Sequence, residues 1–307
     1  MSAQELIVLG TSSQQPTRFR NHGAYFVRMC GEGFLFDPGE GTQRQFIFAD
    51  TAPTGVTRIL ISHFHGDHCL GVGSMLMRLN LDRILHTVHC YFPAACQKNF
   101  DYLRKACLYH ENIQIEEHPV AQAGPMLDTE TYTVSAEFLD HGVPTLGYRI
   151  QEKPRRKFFP EKLRAFGVRG PLVKKLEEEQ RLVLGGKTVT LDEVSCLQEG
   201  ISFAYILDTR ICQSAKVLAQ NASMVLAEST YLEQHRELAE KYAHMTAAQA
   251  ARLAEENGAK KLILTHFSAR YRDEGLFEEE ARRIFPASHA AKDLSRFSFP
   301  SKAIKKS

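Results

Sequence analysis

The chain has 307 residues, 43% hydrophobic and 24% charged, so a large folded core is expected and extensive disorder is excluded. Its 38 Lys and Arg nearly balance 36 Asp and Glu, so net charge does not point to nucleic acid and any basic surface must be local. Seven cysteines, odd in number and without a CxxC pair, exclude a disulfide framework or a thiolate zinc knuckle. MSAQELIVLG lacks a charged stretch followed by a long apolar run, and no segment approaches the roughly 20 apolar residues that span a bilayer. A cytoplasmic protein with no membrane partner is the expectation.

Short apolar runs broken by glycine and turn residues fill the first part, and ELIVLG, AYFVRM, GFLFDPGEG and TRILISH predict strands. Behind the last of these, ISHFHGDH (Ile61 to His68) packs three histidines and an aspartate into one turn. CLGVGSMLMRLN then has helical spacing, and a second helical stretch follows around Pro93 to Leu108. The histidine cluster therefore sits in a strand-to-helix loop, at the carboxyl end of a strand, where open α/β architectures place their chemistry. The second half repeats this order: ISFAYILDTR, SMVLAEST and KKLILTHFSARY predict strands ending at Asp208, near Glu228 and at His266, with a helix over Ala247 to Asn257. Two strand-rich halves with outer helices predict a sheet sandwich covered on both faces.

Between the halves lies EKPRRKFFPEKLRAFGVRGPLVKK, with nine Lys and Arg against two Glu, three phenylalanines (Phe158, Phe159, Phe166) and three prolines. A charge run of this kind reads as a solvated excursion. Basic residues interleaved with aromatics, glycine and proline also read as an arm that grips a phosphate backbone.

In the HxHxDH loop, His63 and His65 are two residues apart in nearly extended chain and can converge on one ion, while a turn at Gly66 re-aims Asp67 and His68 towards a second. Imidazole and carboxylate are the ligands of catalytic zinc, which keeps a position for water. Four residues cannot complete two shells. The missing ligands should be His, Asp or Glu at other strand ends, and His141, Asp208 and His266 meet that description. Taken singly, an aspartate at a strand end also reads as a cap or turn former.

HFHGDH, the later His141, Asp208 and His266, and the alternating strand and helix order resemble the metallo-β-lactamase superfamily. Five further stretches resemble one of its families, the ribonuclease Z tRNA 3′-processing endonucleases: PTRFRN (Pro16 to Asn21), DPGEGTQRQ (Asp37 to Gln45), the arm ending in FGVRGP, HMT (His244 to Thr246) and HFSARY (His266 to Tyr271). The likeness runs from the first strand to about Pro286. It implies an α/β fold, the metallo-β-lactamase αββα sandwich, as a single domain over residues 1–307. A flexible, protruding tRNA-binding arm would be inserted at 151–195.

The same resemblance implies two Zn2+ per subunit, one held by His63, His65 and His141, the other by Asp67, His68 and His266, with Asp208 bridging. Asp67 would also serve as general base, and His244 would assist the leaving 3′ oxygen. Arg18, Arg20 and Asn21 fall in the family's 3′-end-binding loop, and Gly167, Gly170 and Pro171 in its arm. Thr42, Gln43, Ser268 and Arg270 are placed to donate to substrate phosphate. The implied reaction removes the 3′ trailer from precursor tRNA, leaving a 3′-hydroxyl on the tRNA and a 5′-phosphate on the trailer. The implied assembly is a homodimer in which one subunit's arm serves the other's active site. The alternative is a superfamily phosphodiesterase or related hydrolase of small substrates. Three positions depart from the family pattern: Pro38 in place of cysteine, Leu207 in place of glycine, and Met245 in place of serine, the last bearing on hydrogen bonding near His244.

Overall fold

The computed structural model describes residues 4–302; the expected domain limits at 1 and 307 lie outside them. The described residues form two compact units, one running to Gln151 and resuming over Ser202–Pro300, the other comprising Glu152–Ile201 with Ser301 and Lys302.

Numbered along the chain, the strands are β1 (Glu5–Gly10), β2 (Ala24–Met29), β3 (Glu32–Phe36), β4 (Arg58–Leu60), β5 (Val88–Pro93), β6 (Ile115–Val120), β7 (Gly124–Asp128), β8 (Tyr132–Phe138) and β9 (Leu146–Glu152). They continue with β10 (Arg155–Phe158), β11 (Arg181–Leu184), β12 (Lys187–Thr190), β13 (Ser195–Gln198), β14 (Ser202–Ile206), β15 (Met224–Glu228), β16 (Leu262–Thr265), β17 (Ser288–Ala290) and β18 (Arg296–Ser298).

The first unit holds two seven-stranded sheets, ordered β18-β1-β2-β3-β4-β5-β6 and β17-β16-β15-β14-β9-β8-β7. Alternation of side chains along each strand explains the layering. Phe34 and Phe36 of β3 point one way, towards Tyr132, Tyr148, Phe203 and Tyr205 of the second sheet; the Phe36 and Tyr205 rings stack at 4.6 Å. Leu35 points the other way, into a cluster with Phe46, Val72, Met75, Leu76 and Phe100 from helices Thr42–Phe48, Val72–Leu81 and Gln97–Arg104. Likewise Ala204 and Ile206 of β14 face a cluster with Leu218, Ala247, Ala251 and Phe277 from three further helices. Helix, sheet, sheet, helix is the expected αββα sandwich.

Because central strands are covered on both faces, they read as unbroken apolar runs. Helix Ala247–Glu256 begins at Thr246, whose side chain accepts from the Gln249 amide while Gln249 caps in return, and it buries Ala247, Ala250, Ala251 and Ala254 at helical spacing. Strands β3 to β6 run parallel, as do β14 to β17, so each set presents its carboxyl ends on one rim.

The second unit is folded in its own right. β10 pairs with β13 and β11 with β12, both antiparallel, around helices Pro160–Ala165, Pro171–Glu179 and Leu191–Val194. Its core is Val168, Leu176, Leu182, Val189, Leu191 and Val194. The unit extends past residue 195 because Cys196, Leu197 and Gln198 pair with Lys157, Arg156 and Arg155.

One polar anchor fixes the loop between β1 and β2. Asp293 accepts from the Asn21 amide and the Thr11 hydroxyl at 2.7 Å each, and from the Gln45 side chain at 3.3 Å. Burial pushes its carboxyl up to about 6, against the opposing hydrogen bonds. A carboxyl raised above its unfolded value gives stability that is complete below about pH 4 and lost as pH rises through about 6. Asp293→Asn should therefore flatten the stability-versus-pH curve of wild type between those limits by about 1–3 kcal/mol, measured by urea unfolding at a series of pH values. Parallel curves for the two proteins would contradict this.

Candidate metal centre

The carboxyl ends of β3, β4, β14, β15 and β16 deliver Asp37, His63, Asp208, Glu228 and His266 to one rim, and the turn Gly66–Cys69 adds Asp67 and His68. Two glycines let the turn approach: a Cβ on Gly39 would lie 2.2 Å from the Asp67 carbonyl, and one on Gly71 would lie 2.1 Å from the Gly39 carbonyl. That is why DPGEG precedes the histidine loop.

Donor atoms gather in two groups that share one carboxylate. In the first, His63 Nε2 is 2.9 Å from His65 Nδ1, which is 3.4 Å from His141 Nε2; Asp208 Oδ2 lies 3.7 Å from His63 and 3.8 Å from His141. In the second, His68 Nε2 is 3.2 Å from His266 Nε2, and Asp67 Oδ2 is 3.4 Å and 3.5 Å from these two nitrogens. Asp208 Oδ2 is also 3.4 Å from His68, and its Oδ1 is 3.3 Å from His266. Two ligands at about 2.0–2.1 Å from a tetrahedral ion stand about 3.3–3.4 Å apart, so these spacings fit single ions.

The opposite ring nitrogens are spoken for. Ser62 Oγ donates to Asp37 and so receives Nδ1–H of His63 at 3.0 Å; Asp37 receives that of His68 at 2.7 Å. The Ala243 carbonyl takes His141 Nδ1–H at 3.1 Å, and Thr230 Oγ1, itself donating to Glu228, takes that of His266 at 2.9 Å. Each partner fixes a tautomer whose Nε2 lone pair faces the cluster. Burial holds the His63 and His65 imidazoles below their usual range, hence neutral. Asp208 Oδ1 is buried without a hydrogen-bond partner, a costly state for a carboxylate oxygen unless a cation completes it. The donor set therefore fits divalent metal.

His244 sits beside this cluster, 14% exposed, with Nδ1 3.0 Å from Glu228 Oε1. Burial opposes its charge, but the Glu228 carboxylate prevails and pushes the imidazole up to about 9. Glu228 is fully buried and also accepts from the Thr209 and Met245 amides at 2.7 and 3.1 Å. The side chain of Met245 is itself buried in the core, so its departure from serine leaves the bonding around His244 to Glu228 and the backbone. A cleft of about 580 Å³ opens over the cluster, lined among others by Asp67, His141, Tyr231, Tyr242, His244 and Ser268.

The metallo-beta-lactamase superfamily profile matches residues 17–181. Ribonuclease Z of Protochlamydia amoebophila (strain UWE25) is 56% identical over 299 residues, 97% of this chain and 98% of that protein. Ribonuclease Z of Chlamydia pneumoniae is 55% identical over 300 residues, 98% of each. The chain belongs to the ribonuclease Z family. The crystal structure of human tRNase Z, short form, shares the fold, with a TM-score of 0.71 at 22% identity, covering 97% of this chain and all of that one.

Among the ribonuclease Z residues expected to touch substrate, exposure divides the set. Arg18 and Arg270 are exposed, their guanidiniums over the Phe19 and Tyr231 rings at 5.7 and 5.6 Å, and Gln43 and Ser268 are half-buried. Two expectations need correcting. Arg20 is 5% exposed and donates to the Tyr271 carbonyl at 2.6 Å, so it braces the HFSARY turn instead of meeting solvent. Thr42 is fully buried and donates to the Gly39 carbonyl at 2.7 Å, so it closes the DPGEG turn. Asn21 is held between Asp293 and the Glu40 carbonyl. In the second unit Gly167 and Gly170 are exposed with φ of 70° and 55°, left-handed values that favour glycine, and exposed Pro171 starts the helix after them.

Asp37, Glu228 and Tyr205 were not singled out by the sequence. Tyr205 donates to Asp37 Oδ2 at 2.7 Å, completing the buried support of His68.

Proposed function

We propose that this centre cuts precursor tRNA at its 3′ end with two zinc ions, one of which would be held by His63, His65 and His141 and the other by Asp67, His68 and His266, with Asp208 within reach of both donor sets. The chain is a tRNA 3′-processing endonuclease, a phosphodiester hydrolase. The observation that carries the zinc reading is the orphaned, buried Asp208 oxygen between two sets of donors at ligand spacing.

When bound, such a pair lowers the pKa of water and spreads charge over the attacking and leaving oxygens of an in-line displacement. A bound cation would keep the Asp67 carboxyl ionised against its burial. From that position it accepts the proton of the attacking water. On the other side of the phosphorus, His244 faces the cleft charged, its Nδ1–H spent on Glu228, and donates from Nε2 to the departing 3′ oxygen of the tRNA. The water oxygen stays on phosphorus, so the trailer leaves with a 5′-phosphate and the tRNA with a 3′-hydroxyl. His244→Ala should lower kcat about 10²-fold with little change in KM, measured on a pre-tRNA under saturating conditions. An unchanged kcat would remove His244 from the reaction.

The second unit, basic over 152–175, supplies phosphate contacts along the tRNA, and Arg18, Arg270, Gln43 and Ser268 hold its 3′ end. Recognition by shape suits an enzyme that accepts many tRNAs. A homodimer in the cytoplasm, with each second unit serving the partner's cleft, completes the reading. Among the described residues no helix is long and apolar enough to cross a membrane.

The test uses protein stripped of metal and then given zinc, incubated with pre-tRNAs that do or do not encode CCA, with both ends of the products mapped. Cleavage at the 3′ side of the tRNA body only with zinc is expected. Equal cleavage without metal would overturn the proposal.

A further inference from the structure

We infer that His89, Glu116 and His118 form a second cation site, separate from the catalytic cluster, that takes a zinc-class divalent ion. Strand periodicity builds it. Glu116 and His118 are two residues apart in β6, so they share a face, and parallel register sets His89 of β5 directly beside Glu116. His89 Nδ1 is 3.0 Å from His118 Nε2 and 3.3 Å from Glu116 Oε2; the remaining side, His118 Nε2 to Glu116 Oε2, is 3.7 Å. These edges bracket the about 3.3–3.4 Å expected between ligands of one tetrahedral ion, and two imidazoles with one carboxylate are a borderline donor set that suits zinc.

The surroundings favour a neutral, pre-set pair of imidazoles. Burial pushes both below their usual range, His89 further lowered by Arg58 and His118 by His89. The Tyr91 ring stacks on His118 at 4.6 Å and 15°, fixing its plane. Arg58, the nearby positive charge, is paired with Glu32 at 2.6 Å. Side-chain exposures of 26%, 58% and 37% for His89, Glu116 and His118 leave room for water to fill the open coordination position. His89 pairs with Arg58 at the amino end of β4, whereas His63 follows the carboxyl end of that strand, so the two sites occupy opposite ends of the sheet. β6 is an edge strand, and an ion here would pin it to β5.

The experiment takes the full chain with its catalytic centre loaded, dialyses it against micromolar zinc, and counts zinc per chain for wild type, His118→Ala and Glu116→Gln. Wild type should hold one zinc more than His118→Ala, and Glu116→Gln should weaken that extra ion by about tenfold or more. Added zinc should raise the melting temperature of wild type further than that of His118→Ala. Retained pre-tRNA cleavage shows that each variant is folded and its catalytic centre loaded. Equal zinc counts in wild type and His118→Ala would overturn the inference while leaving the endonuclease reading untouched.

Discussion

Asp67→Ala is expected to lower kcat for pre-tRNA by about 10³-fold or more, because one carboxylate is asked to do two things. Its Oδ2 stands 3.4 and 3.5 Å from the two histidine nitrogens of the second donor group, the spacing of a shared ion. In the mechanism proposed above the same group accepts the proton of water, and a positioned base contributes about 10²–10⁴-fold. Single-turnover rates measured alongside zinc content separate the duties. Loss of rate with both ions retained isolates the base; loss of one ion isolates the ligand. The variant should unfold near the wild-type temperature once metal-free samples are compared, since Asp67 is 9% exposed and lies at the cleft surface, away from the aromatic layer between the sheets. Full activity in Asp67→Ala would sink the mechanism.

Excising Lys153–Gly200 and closing the chain with a short turn is expected to cost about 10²-fold or more in kcat/KM on pre-tRNA while sparing bis(p-nitrophenyl) phosphate. The excision is feasible because β9 and β14 are antiparallel neighbours with Gln151 opposite Ser202, and the Glu152 amide donates to the Ile201 carbonyl at 2.9 Å. Antiparallel partners lie about 5 Å apart, a gap that two residues bridge. Removing the basic stretch would delete the phosphate contacts proposed for it, so the salt dependence of pre-tRNA binding should become shallower. Undiminished pre-tRNA cleavage would refute the role given to the second unit.

The metal cluster was legible because its residues are chemically uncommon and stand where runs of apolar strand residues stop: His63, His141, Asp208 and His266 each follow such a run or lie in a loop close to one. The support layer was not. Asp37 reaches Ser62 across 25 residues and Tyr205 across 168, distances closed only by parallel pairing of β3 with β4 and by the facing of the two sheets. Glu228 ends a strand as any capping acid would, and its burial comes from the turn that returns His244 and Met245 to it. Arg20 and Thr42 failed in the opposite sense. Polar letters in loops read as surface, but here they satisfy buried backbone carbonyls, Thr42 that of Gly39 in its own turn and Arg20 that of Tyr271 in a distant one. The central strands were legible, being two-face-buried and apolar throughout, whereas β6, at a sheet edge, was not singled out: it carries Glu116, Glu117, His118 and Pro119.

Three residues of the cluster and its support, Asp37, Asp208 and His266, have φ of 42°, 46° and 61°, a region that side-chain-bearing residues enter at a cost of about 1 kcal/mol or more each. Glycine would sit there with less strain, yet it would carry no ligand. At Asp37 the strain is outweighed by the hydrogen bonds it accepts from Ser62, His68 and Tyr205, whereas Asp208 also carries a buried oxygen without a partner. Selection for a sturdier metal-free fold and selection for metal binding therefore pull Asp208 in opposite directions, and stabilised variants recovered from a screen blind to activity should be enriched for substitutions at that one site.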